Sequence, residues 1–258
     1  MYIDIHCHLD HPEFKDRLEK VIQDAKKAGV KLILTNGINP ETNRITLELA
    51  KKYDIVKPAL GIYPINQLKK EIEEGNYPLK PNVFDVDEEI KYIEKNKDKI
   101  LAIGECGLDG LDAGSMEDQK KVFQKLINLA EKIKRPLIVH SRKAEADVIE
   151  VLEHSKAKVL LHCFSGKKSL IKKAAELGYS FSIPTNVVRA QNFQDLIKMV
   201  DINQLFAETD SPYLSPFKDK RNEPAFIVES YKKIAEIKGM TLEDTKNNIW
   251  MNYQKLFQ

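Results

Sequence analysis

Tyr2-Ile3-Asp4-Ile5-His6-Cys7-His8-Leu9-Asp10 is an apolar run that ends on two histidines one residue apart. The run reads as a β-strand. Strand side chains alternate faces, so His6 and His8 share a face, separated by two residue rises of ~3.3 Å each. Two imidazoles so placed can converge on one cation. Alone, a His-x-His at a strand end is an ordinary polar pair. Its weight here depends on what the rest of the chain puts at equivalent positions.

Outward from that strand, helices and strands take turns. Residues 13–28 carry Phe14, Leu18, Val21, Ile22 and Ala25 at helical spacing, and Gly29 stops the helix. Residues 30–35 read as a second strand, 40–52 as a helix and 55–62 as a third strand. Residues 63–84, with Pro64, Gly75, Pro78 and Pro81, show no sustained periodicity. They form a long connection of the kind that is usually functional or mobile. Asp85 caps a helix to about Asn96, 100–104 is a fourth strand, and 116–133 is a long amphipathic helix broken by Arg135-Pro136. The pattern continues with a strand at 137–139, a helix at 144–153, a strand at 158–161 and a helix at 169–177. Segments 179–183 and 204–207 complete eight candidate strands, with the apolar segment 193–200 grouped among them, and helices follow at 224–237 and 242–256.

This alternation, with no Gly/Ser-rich linker, implies one parallel-sheet domain over residues 1–258. Eight βα units in that length favour a closed (β/α)8 TIM barrel, an α/β fold typically of ~250 residues, over an open doubly wound sheet. No Gly-x-Gly-x-x-Gly follows the first strand, which removes the best support for a dinucleotide site. Hydrophobic content of 42% suffices for a sizeable core, and charged content of 31% points to a heavily charged soluble surface. The net charge of +2 supplies no strong field towards a polyanion, so a nucleic-acid partner would be held locally. A strand begins almost at position 1 with no basic and apolar leader before it, and no stretch approaches the ~20 apolar residues of a membrane span. A cytoplasmic location without membrane contact is therefore expected. Three cysteines without a Cys-x-x-Cys argue against a disulfide framework.

The strand ends now read together. The first carries His6 and His8, the fourth Glu105 and Asp109, the fifth His140 and Arg142, the sixth His162, and the eighth Glu208 and Asp210. The C-terminal ends of barrel strands are where such folds hold their active sites. His6, His8, Glu105, His140, His162 and Asp210 make six ligands, more than one tetrahedral Zn needs, whereas two metals sharing a carboxylate would use them all. His11 and His154 read as structural or solvated. Glu208, two residues before Asp210, is expected to orient a ligand from behind.

Through Ile5-His6-Cys7-His8-Leu9-Asp10, residues 104–109, Ile138-Val139-His140-Ser141-Arg142, residues 161–166, Glu208-Thr209-Asp210-Ser211-Pro212-Tyr213-Leu214 and Arg221-Asn222-Glu223-Pro224, the chain resembles the TatD family of metal-dependent deoxyribonucleases, in the amidohydrolase superfamily. The resemblance implies that His6, His8 and Asp210 hold one metal, His140 and His162 the other, and that Glu105 bridges them. It implies a phosphodiesterase that removes nucleotides from DNA ends through local phosphate contacts that are not sequence-specific, and that uses metal-activated water with Asp210 ligating or taking the proton. Zn, Mn, Fe, Co and Mg all suit the donor set. One departure stands out: where the family often has His-Pro-His after the third strand, this chain has Tyr63-Pro64-Ile65.

Arg142, Lys167, Lys168, Arg189 and Arg221 are candidate phosphate contacts, with Arg142 and Arg221 favoured by their place inside motifs and Tyr63 as a further substrate contact. Cys7, Cys106 and Cys163 each neighbour a ligand, and strand alternation predicts that all three are buried and point away from the metals. Two other readings remain open. One is an amidohydrolase that cleaves an amide, lactone or other ester; the other is a non-catalytic binding barrel merely stabilised by metal.

Overall fold

Burial on both faces is what the strands share. Every residue of Tyr2–Cys7, Ala102–Gly107, Leu137–His140 and Ser180–Pro184 is buried, the pattern of a parallel sheet covered by helices. The computed structural model describes residues 1–64, 84–111 and 116–258. Its strands are β1 (Tyr2–Cys7), β2 (Val30–Asn36), β3 (Val56–Leu60), β4 (Ala102–Gly107), β5 (Leu137–His140), β6 (Val159–Leu161), β7 (Ser180–Pro184) and β8 (Leu205–Glu208), paired in parallel in that order. The chain beyond β8 returns to β1: Asp210 N donates to His6 O and His8 N to Ser211 O, each at 2.9 Å. The fold is a (β/α)8 barrel.

The helices are α1 (Leu18–Lys27), α2 (Pro40–Lys52), α3 (Val86–Lys95), α4 (Met116–Ile133), α5 (Glu145–Leu152), α6 (Lys168–Glu176), α7 (Gln191–Met199), α8 (Val228–Lys238) and α9 (Leu242–Phe257). Local chemistry starts several of them. Asn39 and Thr42 form a reciprocal capping box at α2, Asp85 accepts from Asp87 N and Glu88 N at α3, and Thr241 caps α9. Tyr231 on α8 accepts from Ile3 N at 3.0 Å and donates to Ile3 O at 3.2 Å, which ties the outer layer to β1. Among the described residues, no helix is long and apolar enough to cross a membrane.

Segment 193–200, grouped above with the strands, is helix α7. Phe193, Leu196, Ile197 and Val200 are all buried. Their spacing of three, four and seven is helical, and β-like composition misleads there. The helix expected from Glu13 begins at Leu18, because His11 Nδ1 accepts from Glu13 N and sets up a separate 3-10 turn, Pro12–Phe14. Of the long connection at 63–84, residues 65–83 lie outside the described residues.

Close packing at the end of β4 fixes where its side chains go. Gly107 has φ of 139°, and a Cβ there would stand 2.1 Å from His140 O. A Cβ on Gly61 would stand 2.3 Å from Glu105 O. Gly107→Ala is therefore expected to lower stability by about 2 kcal/mol or more, the scale of a strained backbone plus a clash that only backbone movement relieves. Denaturant unfolding checks it; a midpoint equal to that of the wild type would contradict this account of the β4–β5 contact.

Candidate metal centre

Five strand ends deliver four imidazoles and two carboxylates to one point at the C-terminal end of the barrel. His6 Nε2 and His8 Nε2, on β1 and just past its end, lie 3.3 Å apart. Glu105 Oε2, on β4, is 3.4 Å from each of them, and Asp210 Oδ1 is 3.6 Å and 3.5 Å away. The other oxygen of the same carboxylate, Glu105 Oε1, is 3.0 Å from His140 Nδ1 on β5 and 3.6 Å from His162 Nε2 just after β6. Glu105 thus turns one oxygen to each histidine pair. Asp210 reaches the first pair because its backbone, at φ of 54°, turns into the left-handed region, which aspartate tolerates better than most residues.

The outward-facing nitrogens are held from behind. His8 Nδ1 is 3.1 Å from Asn36 O, and His162 Nδ1 is 3.0 Å from Glu208 Oε2. Glu208 also accepts from Ser182 Oγ at 2.6 Å and Cys163 N at 2.9 Å. His140 Nε2 is 2.8 Å from Asp109 Oδ2, which also accepts from Arg142 Nε at 2.7 Å and Tyr63 Oη at 3.0 Å. With the rear nitrogen of His8, His140 and His162 carrying its proton towards an oxygen, the front nitrogen of each presents a lone pair. Lone pairs from imidazoles and carboxylates that converge with no donor from the described residues between them demand a positive charge. The donor set suits divalent cations.

Electrostatics agree. Burial pushes the Glu105 carboxyl up, but contacts with His140, His6 and His8 outweigh it and hold the group well below the usual carboxylate range. Burial alone would lower His162, yet Glu208, Glu105 and Asp210 raise it to about 9, and carboxylates raise His8 and His140 against burial in the same way. Asp109 is pushed up by burial and drawn down to about 2 by His140, Leu111 N and Arg142. A field that draws protons this strongly also draws metal ions.

The structure separates the expected substrate contacts. The centre opens into a cleft of about 760 Å³ whose lining includes His8, Tyr63, Glu105, His140, Arg142, His162 and Asp210. Tyr63 and Arg142 are knitted together, with Arg142 Nη2 donating to Tyr63 Oη at 3.2 Å. Arg221 is not part of the cleft lining; it pairs with Glu13 at 2.8 Å on the surface. Lys168 faces Asp195 at 3.6 Å, and Arg189 donates to Pro216 O at 2.9 Å. Cys7 and Cys106 are buried, with their thiols against Leu34 O and Ile138 O. Cys163 departs from the expectation. β6 ends at Leu161, the backbone turns at Cys163 with φ of 46°, and alternation no longer applies, so Cys163 is only partly buried and lines the cleft. Asp109 was visible in the β4 motif, but its grip on His140 follows only from the fold. The Asn36 carbonyl behind His8 has no side-chain signature at all.

A (β/α)8 barrel with histidines and carboxylates gathered at the C-terminal strand ends defines the class of metal-dependent hydrolase barrels. Residues 3–258 match the sequence model of the TatD related DNase family, and the chain belongs to that family. It is 37% identical over 262 residues to human deoxyribonuclease TATDN3, covering 99% of this chain and 94% of that protein. It is 34% identical over 257 residues to a metal-dependent hydrolase of Methanocaldococcus jannaschii, covering 100% and 97%. Among solved structures, the TatD homologue YJJV of Escherichia coli superposes with a TM-score of 0.85 at 26% identity, covering 99% of this chain and 97% of that one. The chain is a metal-dependent hydrolase of the TatD type.

Asp109→Ala is expected to weaken divalent-metal affinity by about 10- to 100-fold, the usual effect of losing a group that orients a ligating imidazole. Competition against a chromophoric chelator measures it. Unchanged affinity in a variant with the wild-type far-UV spectrum would contradict the role of Asp109.

Proposed function

We propose that the chain is a metal-dependent deoxyribonuclease that removes nucleotides from DNA ends, working as one barrel domain over residues 1–258. In this reading His6, His8 and Asp210 hold one divalent ion, His140 and His162 hold a second, and Glu105 is shared. The observation that carries it is the Glu105 carboxylate, with Oε2 facing one imidazole pair and Oε1 the other. Divalent ions held there supply Lewis acidity towards a phosphoryl oxygen and acidify water. Zn, Mn, Mg, Fe and Co all remain compatible with the donors.

The chain's own groups do the rest. The Asp210 side chain is 14% exposed against 4% for Glu105, which makes Asp210 the carboxylate able to take a proton from water in the cleft and release it to solvent. Glu105 stays ionised and fixed. Asp109 and Glu208 hold His140 and His162 in orientation, so the reacting geometry is set before substrate arrives. Arg142, with its side chain 40% exposed at the cleft wall, supplies positive charge for a phosphate, and Tyr63 sits against it. The near-neutral net charge suits a grip on a few phosphates rather than a wrapped duplex.

The test strips metal from the protein, restores Mg, Mn, Zn or Co, and follows end-labelled single-stranded DNA, with Glu105→Ala and His140→Ala alongside. The expected result is a metal-dependent ladder of terminal losses. Both variants should fall in kcat/KM by about 100-fold or more, the scale on which losing charge stabilisation acts. Hydrolysis of small amides or lactones by the metal-loaded protein, with DNA left intact, would overturn this reading in favour of an amidohydrolase.

A further inference from the structure

The cleft has two unlike walls. One comes from the ends of β3, β4 and β5 and carries Tyr63, Arg142 and His140, a polar and charged surface. The other comes from the turn after β7, the start of α7 and the loop after β8. Among the described residues it presents Asn186, Ala190, Asn192, Phe193, Tyr213 and Leu214, of which only the Tyr213 phenol is ionisable. A hydrolase that needed only a phosphate and two cations would have no use for an uncharged wall of this extent.

β7 is the informative strand, because its end offers no ligand-type residue yet places Asn186 in the cleft. Among the described residues, the Asn186 Oδ1 is buried without a hydrogen-bond partner. Buried polar groups are nearly always satisfied within the fold, so one left unpaired at a cleft wall is kept for something the fold does not contain. The residue is not loose: Asn186 O accepts from Arg189 N and Ala190 N, both at 3.0 Å.

The apolar part of this wall is built with equal care. Phe193 is 5% exposed, wedged into the first turn of α7. Leu214 sits at φ of 52°, and its carbonyl accepts from Thr185 Oγ1 at 2.9 Å. Asn222 fastens the set: its Nδ2, with two protons to give, lies 2.8 Å from Thr185 Oγ1, 2.6 Å from Thr209 O and 2.7 Å from Tyr213 O. In the motif Arg221-Asn222-Glu223-Pro224 it is therefore the asparagine, not the arginine, that faces inward to support the site.

An apolar surface beside a carboxamide that can turn either a donor or an acceptor outward matches a flat heterocycle with a hydrogen-bonding edge. We propose that this wall is a nucleobase subsite, in which the nucleoside attached to the scissile phosphate sets its base against Phe193 and Leu214 and meets the Asn186 carboxamide at its edge. The proposal rests on the deoxyribonuclease reading and goes beyond it by saying what, besides phosphate, the enzyme holds. Rotation of the amide lets it meet any of the four bases, so the subsite recognises the presence of a base rather than its identity.

The test compares kcat/KM of the metal-loaded protein on a single-stranded oligonucleotide and on the same oligonucleotide with abasic residues at both termini. Wild type should prefer the intact ends by about 10-fold, carried in KM, and Asn186→Leu should bring that ratio close to 1. Phe193→Leu, which keeps an apolar side chain in α7, should lower the ratio by a smaller factor. A residue that merely stabilises the cleft would slow both substrates in proportion and leave the ratio alone; that outcome, or a wild-type ratio near 1, overturns the subsite while the nuclease reading stands. Hydrolysis of bis(p-nitrophenyl) phosphate with no cleavage of either DNA overturns the nuclease reading and the subsite with it.

Discussion

Everything at the mouth of this barrel is arranged around one buried carboxylate. Glu105 is 3% exposed, and among the described residues no lysine or arginine lies against it; imidazole nitrogens face it instead, two at each oxygen. A carboxylate so placed is costly unless positive charge reaches it, and neutral histidines alone do not supply that charge. The arrangement makes sense as one half of a charged pair whose other half comes from solution. Its position also constrains the backbone, since Gly61 and Gly107 have no room for a side chain where β3, β4 and β5 meet.

Behind that centre the same device appears twice. Asp109 grips His140, and Glu208 grips His162, each with further donors that fix the carboxylate itself. The two histidines that share Glu105 Oε1 are thus held from behind by carboxylates, whereas His8 is held by a backbone carbonyl. Carboxylate backing makes an imidazole a stronger base and a better ligand. The two halves of the centre are therefore not equivalent: both imidazoles at Glu105 Oε1 are backed by carboxylates, whereas His8 at Oε2 is backed by a carbonyl.

Much of this was legible before any coordinates. Strand alternation put His6 and His8 on one face, and the recurrence of ligand-type residues at five strand ends located the site, because barrel topology converts equivalent positions along the chain into neighbours in space. That Glu208 would back a ligand was read from its place two residues before Asp210, but that the ligand is His162 comes only from the fold. What failed did so for local reasons. Residues 193–200 have an apolar composition that suits a strand, but a three-four-seven spacing that folds as α7. Cys163 lies past the end of β6, where a positive φ cancels the alternation that held for Cys7 and Cys106. Arg221 lies in a motif, yet its partner Glu13 is more than two hundred residues away in sequence and nothing local announces the pairing. Asn186 carries no signal at all, since a lone asparagine after a strand is ordinary until the fold leaves its Oδ1 without a partner among the described residues at a cleft wall.

The central claim is that Glu105 serves two cations at once, and anomalous diffraction from crystals soaked in Mn tests it most directly. The account predicts two separate peaks, one against Oε2 among His6, His8 and Asp210, and one against Oε1 between His140 and His162. A single peak, or peaks that leave either Glu105 oxygen uncoordinated at saturating Mn, would contradict it.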